Sequence, residues 1–313
     1  MNQAERLARR MKLRDLRILI AVAKAGSMSK AASELAMSQP VISKAISDLE
    51  HALSVQLFDR SPQGVSPTMY GDALVKCGIA VLDDLRRGGK DLEFLADPGS
   101  GEARIGCTEP LAAGFVAQVV DRLARQYPRA EFHIAPGDTV SLQDRELVRR
   151  TIDCAVVPIS GLSQRAEIEL EVLFDDRHVI MAGAANKWTR RRKIKLSDLL
   201  NEPWVLPPPG STSGEYIAEA FRAHGCDPPH AQVVSFSIPL HQHMLATGRY
   251  ITSLPRSMLQ FAKHLDLKPL RLDSPVVPRP VGIITLRNRT LSPLAELFIR
   301  RARDLAKALT DEA

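Results

Sequence analysis

Gln39, Ser43, Lys44 and Ser47 share one face of a short segment whose other face carries Ile42, Ala45 or Ile46, Leu49 and Leu53. Small polar and cationic side chains on the open face of a helix suit the major groove of DNA. There an amide pairs with adenine, a hydroxyl with either partner, and an ammonium with guanine or phosphate. Arg60, downstream in Leu57-Phe58-Asp59-Arg60, is placed to meet a phosphate. Other candidate chemistry is weaker. Gly210-Ser211-Thr212-Ser213-Gly214 has the outline of a nucleophile elbow, but its central residue is Thr and sequence order assigns it no base. His241 and His243 stand two apart, so on a helix they point away from each other and form no metal site. Cys77, Cys107, Cys154 and Cys226 form no Cys-x-x-Cys pair, which excludes a zinc ribbon or disulfide scaffold and fits a reducing cytoplasm. A thiol sensor would need an exposed thiol of low pKa with a resolving partner, and the sequence displays neither.

The DNA-facing segment needs elements that hold it. Leu16, Leu19, Ile20 and Ala23 follow helical spacing, so an amphipathic helix precedes it and ends at Gly26. Ser27 or Ser29 can cap the next helix, where Ala31, Ala32 and Leu35 pack inward. Ser38 or Gln39 opens the third helix, with Pro40 in its first turn, where a missing N–H costs nothing. Ser61–Thr68 has turn residues at its centre and reads as a hairpin wing. A long helix follows over Gly71–Phe94. Its stripe of Leu74, Val81, Leu85 and Leu92, continued by Leu95, suits the pairing of two copies of the chain, the alternative being intramolecular core. Gly88-Gly89 predicts a bend or fray in that helix, and Asp97–Gly101 a hinge.

The 313 residues predict two or three domains. The formal net charge is +6, and residues 1–70 alone, with ten Lys or Arg against six Asp or Glu, contribute +4 of it. Basic charge thus gathers where phosphates would be neutralised. The apolar run Ile18–Ala23 is too short to span a bilayer, no signal-peptide layout precedes it, and no membrane partner is expected. After the hinge, strands and helices alternate: Arg104–Cys107, Phe115–Tyr127, Glu131–Ala135, Leu142–Arg150 and Ile152–Val157. That rhythm predicts a parallel open sheet. A second set runs from His178–Ala182 to Ile251–Leu254, and Val281–Leu286 with a helix opened by Ser292 and Pro293 returns to the first. Thr189–Lys195 is a basic run in the second lobe, read as a solvated connection.

Gly26-Ser27, Ala31-Ala32, Ser38-Gln39-Pro40 with Ser43, Leu49-Glu50, Leu57-Phe58-Asp59-Arg60, Gly64, Pro67-Thr68 and Gly71 together resemble the N-terminal module of LysR-type transcriptional regulators. Tyr127-Pro128, Ile152-Asp153, Pro203-Trp204 and Thr247–Ile251 are similar to landmarks of that family's effector domain. One departure is Arg149-Arg150-Thr151, where the family has a Gly before its Asp. The resemblance implies a multi-domain α/β chain. A mostly α winged helix-turn-helix would span 1–70, a linker and dimerisation helix with hinge 71–101, and a two-lobe α/β effector domain of periplasmic-binding-protein type 102–313. Lobe I would hold about 102–175 and 276–313, and lobe II about 176–275.

The resemblance further implies DNA contacts by Ser27, Ser38, Gln39, Pro40, Ser43, Lys44, Arg60 and Thr68. A small-molecule effector would sit between the lobes, where strand ends face helix starts. Thr108 and Glu109 after the first strand, Ser211, Thr212 and Ser213 at a helix start, and Ser235 are suited to an anionic or hydroxylated ligand. The expected partners are operator or promoter double-stranded DNA, the effector, RNA polymerase, and the chain itself as a dimer or tetramer. No cofactor or metal is expected, and the place is the cytoplasm. An enzyme on the α/β domain would need a P-loop, dinucleotide fingerprint or metal triad, and the sequence has none. A stand-alone solute-binding protein is disfavoured by the N-terminal module.

Overall fold

A computed structural model describes residues 11–61, 64–97, 99–261, 267–273 and 278–311. One compact unit ends at Gly89 and a second begins at Lys90.

In the first unit, α1 (Leu13–Ala25) buries Leu16, Ile18, Leu19 and Val22 and ends at Gly26, whose φ of 61° is the left-handed turn that glycine adopts without strain. Its successor α2 (Met28–Glu34) starts at Ser27, whose hydroxyl accepts from Lys30 N at 3.4 Å. The third helix, α3 (Gln39–Leu53), buries Ile42, Ala45, Ile46 and Leu49. Strands β1 (Phe58–Ser61) and β2 (Gly64–Pro67) form the antiparallel wing, with Phe58 opposite Pro67 and Ser61 opposite Gly64. Its tip, residues 62–63, lies outside the described residues. The wing is tied down twice. Val65 N donates to Gly26 O at 2.9 Å, and Glu50 Oε1 accepts from Leu57 N at 2.8 Å and Phe58 N at 3.2 Å.

The long helix α4 (Met69–Ala96) locks onto this unit through glycine. A Cβ on Gly71 would lie 2.0 Å from Leu57 O, and one on Gly78 3.0 Å from Leu16 Cδ2. Two expectations are corrected here. Leu74, read as part of the pairing stripe, is 8% exposed and belongs to this unit's own core with Ile18, Ile46 and Phe58. Gly88-Gly89 does not fray the helix, which runs through both. Two glycines cost about 2 kcal/mol together. The turn before them is held by pairs three residues apart, Arg86–Asp83 at 2.7 Å and Arg87–Asp84 at 3.0 Å, and Lys90 after them pairs with Glu102 at 2.9 Å.

The second unit carries two five-stranded sheets, one per lobe. In lobe I the order is β4 (Arg129–Pro136), β3 (Ser100–Cys107), β5 (Cys154–Pro158), β12 (Arg279–Leu286), β6 (Ile168–Asp176). Strand β3 is parallel to both neighbours, but β12 is antiparallel to β5 and β6. The three strands from which the sequence predicts a parallel sheet are parallel to one another, and the sheet becomes mixed only where β12 and β6 join it. The returning strand enters between β5 and the exit strand β6, and the chain direction at a return dictates an antiparallel pair. Helix α5 follows β3 as three consecutive runs, Glu109–Leu111, Ala112–Val116 with π-type bonding, and Ala117–Gln126. Helix α6 follows β4 as Thr139–Ser141 and the π-type run Leu142–Leu147. In lobe II the strand order is β11 (Leu267–Pro269), β7 (His178–Gly183), β10 (Ile251–Pro255), β8 (Trp204–Leu206), β9 (Ala231–Val234). Helices α7 (Thr212–Ala223), α8 (Ile238–Ala246) and α9 (Arg256–Phe261) belong to lobe II. The last helix, α10 (Pro293–Asp311), packs on lobe I, with Leu294, Phe298 and Ala302 in the core beside Phe115 and Phe174.

The departure near Asp153 is resolved by an arginine. Arg150 adopts φ 59°, the left-handed turn that a glycine would make freely. Arg289, 8% exposed, donates to Asp153 Oδ1 at 3.1 Å and to the carbonyl of Ile152, while Asp153 Oδ2 accepts from Arg104 N at 2.8 Å. Removing one partner of such a buried pair leaves an uncompensated charge. Arg289→Ala should therefore lower unfolding stability by about 3–5 kcal/mol, read from urea denaturation.

Candidate nucleic-acid interface and interlobe cavity

On α3, Ser38, Gln39, Pro40, Lys44 and Ser47 are exposed and Ser43 is half-buried. The apolar spacing that buries Ile42 and Ile46 leaves these residues facing outward. Arg60 on the wing is exposed, its Nη2 3.8 Å from Glu50 Oε2. Glu50 thus anchors the wing backbone with one oxygen and faces the arginine with the other. Two residues read as DNA contacts have their hydroxyls engaged within the fold. Ser27 caps α2. Thr68 donates to Gln56 O at 2.7 Å and accepts from Gly71 N at 3.1 Å, so it joins the wing to the start of α4. Helix starts leave N–H groups without partners, and both hydroxyls serve that need. Of the stripe on α4, Leu85 and Leu92 are 52% and 69% exposed, Leu95 is 76% exposed and Val81 is half-buried.

Between the lobes lies a cavity of about 260 Å³. All six effector-binding candidates, Thr108, Glu109, Ser211, Thr212, Ser213 and Ser235, line it. They meet there because strand ends and helix starts of both lobes converge. Thr108 and Glu109 follow β3, Ser211 caps α7 by accepting from Gly214 N at 3.1 Å, and Ser235 follows β9. Glu109 also joins the lobes: its Oε1 accepts from Ile238 N, the first residue of α8, at 3.0 Å.

The sequence reading missed part of the wall. Asp138 and Thr139 open α6 after β4, a strand end equivalent to that of Thr108, and the same reasoning would have found them. Asp138 Oδ1 accepts from Ser141 N at 3.0 Å. Burial opposes ionisation of Asp138, but hydrogen bonds from Ser141 outweigh it and hold the carboxyl below its ordinary pKa. His178 and Ser253 on the sheet of lobe II and His241 on α8 also line the cavity, and they carry no comparable signal, since only the packing of lobe II brings them there. His178 Nδ1 lies 3.2 Å from Ser253 Oγ, and its ring meets Tyr216 edge-on. Burial, aided by the nearby Arg279 charge, pushes its pKa down to about 3, so the ring is neutral. His241 is buried, with Nε2 2.9 Å from Ser235 O and Nδ1 3.0 Å from Thr252 Oγ1. Burial lowers its pKa as well. Its sequence neighbour His243 is exposed, and among the described residues no His, Cys, Asp or Glu cluster could hold a metal ion.

Ser211 of the elbow-like loop donates to Pro208 O at 2.6 Å and serves as a cap. Cys107 and Cys154 are fully buried. Desolvation pushes the Cys107 thiol up to about 12 and raises Cys154 further, which keeps both protonated and unreactive. The Arg190–Lys193 part of the basic run is exposed. Among the described residues no helix is long and apolar enough to cross a membrane.

A helical head with a wing, followed by a two-lobed α/β domain around a cavity, defines a ligand-responsive DNA-binding protein as a class. The family model of the bacterial regulatory helix-turn-helix protein, lysR family, matches residues 13–72, and that of the LysR substrate binding domain matches 96–307. The chain belongs to the LysR family: it is a DNA-binding transcriptional regulator with an effector-binding domain, and its relatives are regulators rather than enzymes. It is 28% identical over 300 residues to the HTH-type transcriptional regulator GbpR of Azospirillum brasilense, covering 95% of this chain and 87% of that protein. It is also 28% identical over 293 residues to the transcriptional dual regulator GltC of Bacillus subtilis, covering 92% and 95%. Among solved structures, a full-length OxyR from Pseudomonas aeruginosa superposes with a TM-score of 0.65 at 24% identity, covering 94% of this chain and 95% of that one. CbnR, a LysR family transcriptional regulator, gives 0.63 at 22% identity, covering 95% and 99%. These structural likenesses establish the fold.

The neutral His178 has a measurable consequence. Its folded-state pKa of about 3 lies below the ordinary 6.5, so between those values the unfolded chain binds more protons. The stability it contributes is fully present above pH 6.5 and is lost as pH falls toward 3. Urea titrations of the native chain should show a loss of up to about 1.4 kcal/mol per pH unit in that window from this group. His178→Gln should flatten the slope; an unchanged slope would show that His178 titrates normally.

Proposed function

We propose that the chain regulates transcription as an oligomer whose heads read operator half-sites and whose interlobe cavity senses a small molecule. The observation that carries the reading is the cavity itself. Both lobes wall it, and side-chain hydrogen bonds span them, Glu109 to Ile238 N at the cavity edge, Ser257 to Asp176 and Arg279 to Glu219 beyond it. A ligand touching both walls favours one lobe arrangement over another, which is the differential affinity that a population shift requires.

On the DNA side, Gln39, Pro40, Ser43 and Lys44 read base edges, with Ser38 beside them. Arg60 holds a phosphate, while Ser27 and Thr68 position the elements around it. The head extends past the expected boundary at residue 70, because Leu74 and Gly78 pack into it. The exposed Leu85, Leu92 and Leu95 pair α4 with the same helix of a second copy, and contacts between effector domains join dimers into a tetramer. Ligand then alters head spacing, DNA bending and access of RNA polymerase to the promoter. The setting is the cytoplasm.

Three measurements test this. Gln39→Ala should relax discrimination at one operator base pair by about 1–3 kcal/mol while leaving nonspecific binding intact. Arg60→Ala should weaken binding to all sequences and reduce the salt slope of log K by about one; an unchanged slope would remove Arg60 from the phosphate contacts. Replacing Leu85 and Leu92 together by Glu should yield monomers in sedimentation, and an intact oligomer would return the stripe to a solvated face.

A further inference from the structure

The wall of the interlobe cavity contains a hydroxyl without a partner. Thr139 is 1% exposed and lines the cavity, and its Oγ1 meets no hydrogen-bonding protein atom. Folded proteins pair nearly all such buried groups, so an orphan on a cavity wall marks a place where a ligand atom belongs. Thr108, Thr212 and Ser213 line the same space.

The charges on the wall narrow the ligand's chemistry. Two carboxylates line it, Asp138 and Glu109, and among the described residues no Lys or Arg does. An anionic ligand would leave water beside two negative groups, and Arg279, which lines the adjoining cavity beyond His178, is already paired with Glu219. A cationic ligand is not favoured either. Asp138 stands on the start of α6 and Glu109 on the start of α8, and each gives one oxygen to a backbone N–H there. A helix start carries about half a positive charge, which offsets much of each carboxylate. The two imidazoles on the wall are neutral, since burial lowers the pKa of both His178 and His241. What remains is a wall whose polar groups are acceptors and hydroxyls with little net charge, set among four prolines, Ile238 and Leu254, with the exposed ring of Phe236 on one side.

We propose that the effector is an uncharged, polyhydroxylated small molecule, a sugar or comparable polyol. Its hydroxyls pair with Thr139 Oγ1 and with the second oxygens of Asp138 and Glu109, and its C–H face lies on Phe236. This rests on the reading of the cavity as the effector site, and the test separates the two.

Calorimetric titration of the purified full chain would compare neutral pentoses, hexoses and inositols with the corresponding uronic and aldonic acids. At least one neutral polyol should bind saturably, and its acid should bind at least about tenfold more weakly, a ratio equal to 1.4 kcal/mol. Thr139→Val keeps the side-chain shape and removes only the orphan hydroxyl. It should weaken the polyol by about tenfold and leave Tm unchanged or raised, because no protein partner is lost. Asp138→Asn, which still caps α6, should narrow the gap between polyol and acid. An acid that binds as tightly as its parent polyol, a Thr139→Val chain with unchanged affinity, or a panel in which nothing binds would each overturn the ligand class. Ser213→Trp fills the cavity. If acids bind and Ser213→Trp abolishes their binding, the cavity reading stands and the polyol falls. If any ligand binds equally well to Ser213→Trp, the cavity reading itself falls.

Discussion

The backbone N–H groups at the start of a helix have no partner within that helix, and most of this molecule's functional geometry follows from how they are satisfied. In the DNA-binding head, Ser27 meets the start of α2, and Thr68 meets the start of α4 while donating back to Gln56. Between the lobes the same need is met three times around one cavity. Asp138 serves α6, Ser211 serves α7, and Ser237 with Glu109 serves α8. The strand ends of an open α/β sheet bring helix starts together, so the side chains that cap helices also become the walls of a binding site.

This shared duty has an energetic consequence. A cap is worth about 1 kcal/mol, and a carboxylate on a helix start gains further from the helix dipole. Glu109 places that gain across the boundary between lobes, since it belongs to lobe I and its partner N–H to lobe II. Any ligand that competes for Glu109, or that reinforces it, changes the relative stability of lobe arrangements by an amount comparable to the coupling energies of ligand-controlled proteins. The lobes also touch where α9 meets the π-type run of α5: a Cβ on Gly114 would lie 3.0 Å from Met258 Cα. That close approach leaves no room for a side chain at Gly114.

The head shows a complementary use of glycine. Gly71 and Gly78 bring α4 against Leu57 and Leu16, which makes the first turns of the long helix part of the head's core. Leu74 is consequently buried, and only the later leucines of its stripe remain open. Heptad spacing cannot distinguish a residue packed against its own domain from one awaiting a second chain, because both need the same apolar face.

The sequence by itself determined the helices of the head, the wing, the long helix and the family. These depend on local periodicity, caps and turn residues spaced within a few positions, such as Ser38-Gln39-Pro40 and the left-handed Gly26. It also singled out six residues that line the cavity, because each follows a strand end or opens a helix. Strand β6 escaped notice although Ile168, Leu170, Val172 and Phe174 alternate, and with it the antiparallel half of the lobe I sheet. Only the tertiary structure decided that His178, Ser253 and His241 face the cavity, that Thr139 is left without a partner, and that Glu109 reaches α8 across 129 positions of chain. Those facts depend on which sheet faces which. That is settled by the two chain crossings between lobes and the packing of their cores, interactions between residues too distant in sequence for any local pattern to record them.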